Sequence, residues 1–101
     1  MNDITVEELK ERMDAGEDLF IIDVREPHEY AEFNIGAENI PLAALPMRFW
    51  DFDDKKEEEI IVHCRSGARS ASAKAFLTQS GFTKVRNLSG GMLEWIHKFG
   101  S

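Results

Sequence analysis

Two short apolar runs constrain the fold of this chain more than any other feature. The first, a strand predicted over Asp18–Val24, is interrupted only by Asp23 near its carboxyl end, and the second, over Glu59–Val62, is rich in β-branched residues. Strands that are apolar on both faces are typical of parallel sheets covered by helices. Because helical patterns alternate with these runs, the sequence predicts an α/β fold with a small, mostly parallel β-sheet flanked by helices on both faces.

Helix signals lie between and after the two runs. Thr5 and Glu8 form a capping box, Pro27 occupies an early helical position, and Pro46 prevents one continuous helix across a segment with near-helical apolar spacing. The further predicted elements are helices over about Val6–Ala15, Glu26–Phe33, Ser70–Gln79 and from Ser89 onward, a broken helical segment over Leu42–Phe52, an extended link over Glu38–Pro41, a solvated charged loop over Asp51–Glu59, and a strand over Val85–Leu88.

The second apolar run leads into the stretch His63–Ser70, which contains Cys64, the only cysteine of the chain. A strand, a polar loop with a glycine and then a helix point backbone N–H groups at an anion, and the helix N-terminus adds partial positive charge. Arg65 and Arg69 lie in the same loop, so we expect a lowered pKa for Cys64 and a nucleophilic thiolate. The alternative, a buried structural cysteine, does not account for two arginines that are costly to bury without an anion.

Four residues of this loop are predicted to bind an anionic substrate through their backbone amides. A glycine among them allows backbone angles that other residues avoid. The last of the four, Ser70, is in addition a candidate N-cap of the helix that follows. The four residues are Ser66, Gly67, Ala68 and Ser70.

Two arginines complete the predicted substrate-binding set. Arg65 either contacts the substrate or lies at the rim of the pocket, and Arg69 is expected to organise the loop by donating to its carbonyls. Asp23 and Arg25 follow the neighbouring strand, at the sheet edge where open α/β folds bind ligands. Since a buried aspartate needs a partner, we interpret Asp23 and Arg25 as a structural pair that braces the loop.

The histidines and tryptophans are assigned structural positions. Successive strand residues point to opposite faces, so His63 is expected to face away from the cysteine. His28 and His97 are expected at the surface, where they form no metal site without a cysteine partner. Trp50 and Trp95 are expected in the core.

Composition limits the partners of the chain. Its net charge of -7 argues against nucleic acid and anionic membrane surfaces, and it sets the basic loop apart. A single cysteine excludes an internal disulfide, so an outside nucleophile has to clear any covalent cysteine intermediate. With 101 residues and neither a signal-peptide pattern nor a membrane-length apolar stretch, we expect one cytoplasmic domain over residues 1–101 without cofactor or metal, as a monomer or weak homodimer.

Four segments, in this order, resemble the rhodanese-like family and together cover nearly the whole chain. They are Ile22–Tyr30, Gly36–Ala37 with Asn39–Leu42, Cys64–Ser70, and Asn87–Met92 with Trp95. The resemblance implies a small sheet of parallel strands between helices. It also implies that Cys64 is a nucleophile that carries sulfur as a persulfide.

The activity that this resemblance implies is transfer of sulfane sulfur. The Cys64 thiolate attacks the outer sulfur of a small anionic donor such as thiosulfate, and sulfite leaves. Arg65, Arg69 and the loop amides stabilise the departing anion. A thiophilic acceptor, which is cyanide in the assay or a thiol or thiol-bearing protein in the cell, then removes the sulfur from Cys64.

Two alternatives remain at the level of sequence. A sulfur carrier or interaction module that docks on a sulfur-trafficking enzyme would keep the same loop. The second alternative is a phosphatase or an arsenate reductase. As the resemblance implies, members of the fold with those activities have a longer active-site loop, with five residues between the cysteine and the arginine. This chain has the four residues Arg65–Ala68 between Cys64 and Arg69, which predicts a cradle fitted to sulfur and too tight for a phosphoryl group.

Overall fold

The computed structural model describes residues 1–101, and its four strands form one parallel sheet. The strands are β1 (Ile21–Asp23), β2 (Glu38–Asn39), β3 (Glu59–His63) and β4 (Lys84–Asn87), in the order β2-β1-β3-β4. In the register of the sheet, Asp23 lies beside His63 and Val62 lies beside Asn87. The carboxyl ends of β1, β3 and β4 therefore meet at one edge, where α/β sheets bind their ligands.

Helices cover both faces of this sheet. They are α1 (Val6–Asp14), α2 (Pro27–Glu32), α3 (Leu45–Arg48), α4 (Ala68–Gln79) and α5 (Gly91–Phe99), with 3₁₀ turns over Leu42–Ala44 and Phe49–Lys55. One core lies under α1 and α5 and includes Leu9 and Trp95, whereas the other lies under α3 and α4 and includes Leu45 and Leu77. The predicted α/β class is confirmed. None of the helices combines the length and the apolar composition that crossing a bilayer requires.

Several element boundaries differ from the prediction. α5 begins at Gly91 and not at Ser89, and the first part of the predicted charged loop belongs to the 3₁₀ segment that ends at Lys55. β1 is shorter than the predicted strand, and the two residues of its edge neighbour β2 pair with Ile22 and Asp23. The segment Glu38–Pro41, predicted as an extended link, contains the strand β2. α4 begins at Ala68, ahead of the predicted Ser70, because Gly67 takes the N-cap position.

The segment Leu42–Phe52 is a series of short helical turns, which agrees with the broken helical segment predicted from Pro46. Phe52 is buried, and Phe49 packs against the same core. The prediction of a core position was wrong for Trp50, which is 65% exposed, and right for Trp95, which is 6% exposed. Phe49 and Phe52, three residues apart, share the inner face of these turns, and Trp50 is turned outward.

Glu59 was predicted to end a solvated charged loop, but its carboxylate forms ion pairs with two arginines of other elements. Its carboxylate accepts hydrogen bonds from Arg12 at 2.6 Å and from Arg86 at 3.0 Å, and Arg86 also bonds Glu8 at 2.9 Å. The hydrogen bond from Arg12 lowers the pKa of Glu59, although its burial raises it. This network ties α1 to the start of β3 and to β4, at the end of the sheet opposite the cysteine.

Candidate active site

Cys64 directly follows β3 and is 1% exposed. Its side chain joins the core under α4, whereas Ile61, three positions earlier, belongs to the core under α5. His63 follows the same alternation as Ile61 and points away from Cys64, as predicted. The loop then turns into α4 at Gly67, whose φ of 109° lies in the left-handed region that favours glycine.

Hydrogen-bond donors of its own loop surround the sulfur of Cys64. The backbone N–H groups of Gly67 and Ser70 donate to Sγ at 3.1 and 3.4 Å, and the Ser70 hydroxyl oxygen lies 3.3 Å from it. Burial raises the pKa of Cys64, but hydrogen bonds from the Ser70 hydroxyl and from the amides of Ser70, Gly67 and Ser66 outweigh it. The pKa therefore lies below its ordinary value, in agreement with the prediction.

The first turn of α4 leaves further donors free. The amides of Ala68 and Arg69 make no hydrogen bond within the chain, as expected for the first residues of a helix. Together with the partial positive charge of the helix N-terminus, they favour an anion next to Cys64.

The start of α5 holds the loop from its other side, a contact that sequence reasoning missed. The N–H groups of Met92 and Leu93 donate to the carbonyls of Cys64 and Arg65, each at 3.0 Å. A Cβ at Gly91 would lie 2.6 Å from the Cys64 carbonyl oxygen, so only glycine permits this approach. The pair Gly90–Gly91 was the available signal, since consecutive glycines indicate a close backbone contact.

Arg65 is the one loop arginine without a partner. Its side chain is exposed, and its guanidinium forms no hydrogen bond or salt bridge. It lines a groove of about 250 Å³ beside the loop; the other lining residues are Arg25, Glu29, Glu32, Phe33, Met92, Leu93 and Ile96. Arg65 thus lies at the edge of this groove with a free guanidinium, and its contact with a substrate stays a prediction.

Arg69 is engaged with α2. Its guanidinium donates to both carboxylate oxygens of Glu29, at 2.7 and 3.0 Å, rather than to loop carbonyls as expected. The hydrogen bonds from Arg69 lower the pKa of Glu29 to about 2. Glu29 in turn accepts from the backbone N–H of Glu26 at 2.9 Å and so caps α2. Arg69 therefore connects the start of α4 to α2.

Asp23 and Arg25 form the expected buried pair, but neither side chain hydrogen-bonds the loop that the pair was predicted to brace. The Arg25 guanidinium donates to the two Asp23 oxygens at 2.7 to 3.1 Å, and it also donates to the Phe33 carbonyl at 2.7 Å. His63 is fully buried beside Asp23, 3.8 Å from its carboxylate, and neither of its ring nitrogens has a hydrogen-bond partner. Burial lowers the pKa of His63 to about 4, so His63 is neutral at pH 7.

The other two histidines contribute nothing to this site. His28 and His97 are exposed. No group of three or more potential metal-ligating side chains occurs in the structure.

Comparison with known proteins decides which family carries this geometry. A family model described as the rhodanese-like domain matches residues 5–98. The chain belongs to the rhodanese-like family.

Individual relatives agree with the family assignment. A sulfurtransferase from Allochromatium vinosum is 38% identical over 96 residues, which cover 94% of this chain and 88% of that protein. The thiosulfate sulfurtransferase PspE from Escherichia coli is 37% identical over 70 residues, covering 68% of this chain and 67% of that protein. A rhodanese-like domain protein from Staphylococcus aureus is 33% identical, with a TM-score of 0.85 over 94% of this chain and 91% of that one. These relatives place the chain among the rhodanese-like sulfurtransferases.

One further residue of this rhodanese-like site was missed, and one assignment was wrong. Asn87, brought beside the loop by the pairing of β4 with β3, donates from Nδ2 to the Gly67 carbonyl at 3.1 Å. Its Oδ1 lies 2.6 Å from the Ser70 hydroxyl oxygen. Ser70 is not the N-cap of α4: Gly67 is, and Ser70 lies inside the first turn with its hydroxyl directed at Asn87 and Cys64. Two signals were available in the sequence: Asn87 ends a predicted strand, and it begins the last of the four segments that resemble the family.

Proposed function

We propose that this chain transfers sulfane sulfur through a persulfide on Cys64. Thiosulfate or a persulfide serves as donor, and cyanide in the assay or a cellular thiol serves as acceptor. The observation that carries the proposal is the set of N–H donors around the Cys64 sulfur, which stabilise an anionic sulfur without a general base. Membership of the rhodanese-like family supports it, as does the name of the relative PspE.

In the proposed first step the Cys64 thiolate attacks the outer sulfur of thiosulfate. The bond between the two sulfur atoms of thiosulfate breaks, its electron pair leaves with sulfite, and a new sulfur–sulfur bond forms on Cys64. The free amides of Ala68 and Arg69 and the unpaired guanidinium of Arg65 are the groups that would stabilise the departing anion. Arg69 contributes mainly by position, since its guanidinium is bonded to Glu29.

In the proposed second step a thiolate acceptor or cyanide attacks the outer sulfur of the persulfide. The sulfur leaves with the acceptor, and the bonding electron pair returns to Cys64 as thiolate. The donors from Gly67 and Ser70 stabilise that thiolate as the leaving group. Because no second cysteine is present, no internal disulfide competes with the acceptor, and we assign the reaction to a reducing compartment such as the cytoplasm.

Intact-mass spectrometry after incubation with thiosulfate tests this proposal. The wild-type chain should gain one sulfur atom that cyanide then removes, and Cys64→Ser should gain none. Wild-type protein that stays unmodified would reject thiosulfate as the donor. Equal labelling of wild type and Cys64→Ser would reject Cys64 as the carrier.

A second candidate function is that of a sulfur carrier loaded by a protein donor. The observation that favours it is the exposed apolar surface of α5 beside Arg65, where Leu93 is 47% and Ile96 is 38% exposed. A persulfidated protein donor that loads Cys64 when thiosulfate does not would establish this function. Phosphatase activity is the last to be tested, with an aryl phosphate as substrate. The loop has four residues between Cys64 and Arg69, which predicts a cradle too small for a phosphoryl group.

A further inference from the structure

The Ser70 hydroxyl has one proton and three acceptors within reach. Its oxygen lies 2.6 Å from Asn87 Oδ1, 3.2 Å from the Gly67 carbonyl oxygen and 3.3 Å from Cys64 Sγ. A hydroxyl donates one hydrogen bond at a time. The group that holds this proton therefore decides how much the hydroxyl can stabilise a negative charge on Cys64.

The orientation of the Asn87 amide is fixed by its two neighbours. Nδ2 donates to the Gly67 carbonyl at 3.1 Å, and turning the amide over would place Oδ1 against that carbonyl, where two acceptors repel. Oδ1 thus faces Ser70, and because an amide oxygen only accepts, Ser70 donates to it. Asn87 is 8% exposed and Ser70 is fully buried, so water does not offer either group an easy substitute partner.

The protonation state of Cys64 changes this arrangement. While Cys64 is a neutral thiol, its S–H can donate to the Ser70 oxygen and the Ser70 hydroxyl can donate to Asn87. When Cys64 is a thiolate, the anion is the stronger acceptor and draws the hydroxyl proton away from Asn87. Asn87 Oδ1 is then left buried without its donor, which is unfavourable.

From this geometry we infer that Asn87 is a positioning residue: it competes with Cys64 for the Ser70 hydroxyl proton and so sets the pH at which the thiolate forms. The inference rests on the proposed function only for the role of the thiolate as nucleophile. Thiolate formation itself can be measured without any sulfur donor. It assigns Asn87 a role that depends entirely on Ser70.

Ultraviolet absorbance of the thiolate, titrated against pH with Cys64→Ser as the baseline, is the test. Asn87→Leu keeps the size of the side chain and frees the Ser70 hydroxyl for the thiolate. Its titration midpoint should fall by about one pH unit, the size of one hydrogen bond to a charged group. Ser70→Ala should raise the midpoint, and adding Asn87→Leu to Ser70→Ala should produce no further fall.

Comparing the two backgrounds separates positioning from a structural effect. A structural effect of losing the Asn87–Gly67 hydrogen bond should shift the midpoint even without the Ser70 hydroxyl, so a shift of the same size in both backgrounds overturns the inference. An unchanged midpoint for Asn87→Leu also overturns it. Asn39→Leu is the matched control: Asn39 bonds the Asp23 and Arg25 carbonyls, away from the loop, and its replacement should leave the midpoint in place.

A measurement on the unaltered Asn87 covers the case in which Asn87→Leu does not fold. The side-chain amide signal of Asn87 in ¹⁵N-labelled protein should move with the same midpoint as the thiolate absorbance, because Oδ1 loses its donor in that transition. In Ser70→Ala the movement should largely disappear. A signal that ignores the thiolate titration, or that moves equally in Ser70→Ala, contradicts the inference. Neither the thiolate titration nor the Asn87 amide signal involves sulfur loading. Failure of this inference can therefore be distinguished from failure of the proposed function.

Discussion

Replacing Gly91 by alanine should force α5 away from the loop that carries Cys64. The added Cβ would lie 2.6 Å from the carbonyl oxygen of Cys64 and 2.7 Å from that of Arg65. Both are backbone atoms, which cannot rotate aside as a flexible side chain could. In addition, the φ of Gly91 is +57°, in the left-handed region that side chains disfavour. Relief of the clash requires lengthening the two hydrogen bonds from α5 to the loop.

The size of the effect follows from these two contributions. Left-handed strain costs about 1–2 kcal/mol, and overpacking of a tight contact costs about 1–3 kcal/mol. We therefore expect Gly91→Ala to lower the free energy of unfolding by about 2–5 kcal/mol. Sulfur loading of Cys64 should slow as well, since the carbonyls that α5 holds belong to the loop that shapes the anion cradle.

Gly36→Ala is the matched control for this variant. Gly36 has a φ of +84°, also left-handed, but a Cβ there meets nothing within 4 Å. Its replacement should cost only the conformational strain, about 1–2 kcal/mol, and should leave sulfur loading unchanged. Urea denaturation gives both free energies. Equal losses for Gly91→Ala and Gly36→Ala would refute the claim that close packing of α5 on the loop shapes the site.

Three further changes test the buried charges and the core. Lowering the pH from 6.5 towards 4 should destabilise the protein, because burial holds the pKa of His63 at about 4 and only the unfolded chain gains the proton in that window. The part of this loss that is due to His63 should reach about 3 kcal/mol and should be missing from urea unfolding of His63→Phe, in which only carboxylates with a lowered pKa, such as Glu29, still respond to pH; an equal pH dependence in that variant would contradict the assignment. Asp23→Asn leaves the Arg25 charge buried without its partner and should cost about 3–5 kcal/mol; an unchanged urea midpoint would show that the pair is not needed. Trp95→Ala should cost about 3–5 kcal/mol by thermal or urea unfolding, whereas Trp50→Ala should stay within about 1 kcal/mol, and comparable losses would argue against the exposed position of Trp50.

Local sequence signals were sufficient for the elements and for the centre of the site. The hydroxyl of Thr5 accepts from the Glu8 amide at 3.1 Å, which is one half of the predicted capping box, whereas the Glu8 carboxylate bonds Arg86 instead of the Thr5 amide. The strand before Cys64 and the helix after it are both formed, because each is encoded by neighbouring residues. The Asp23–Arg25 pair was predictable for the same reason: its two members are two residues apart and lie at the end of one strand.

Interactions between distant parts of the chain were not predictable in this way. Arg69 and Glu29 are 40 positions apart, and nothing near either residue specifies the other. Asn87 reaches Gly67 only because β4 pairs with β3 in one particular register.

The support that α5 and Asn87 give to the loop has a consequence for the order of synthesis. On the ribosome, residues 64–70 are made before residues 87–93, which supply the donors to the carbonyls of Cys64, Arg65 and Gly67. A nascent chain that has emerged only as far as α4 carries the thiol without the scaffold that fixes its surroundings. We expect the cysteine of such a chain to react as an ordinary thiol until the last strand and helix have docked. Docking of β4 and α5 is then the folding step after which Cys64 acquires its lowered pKa.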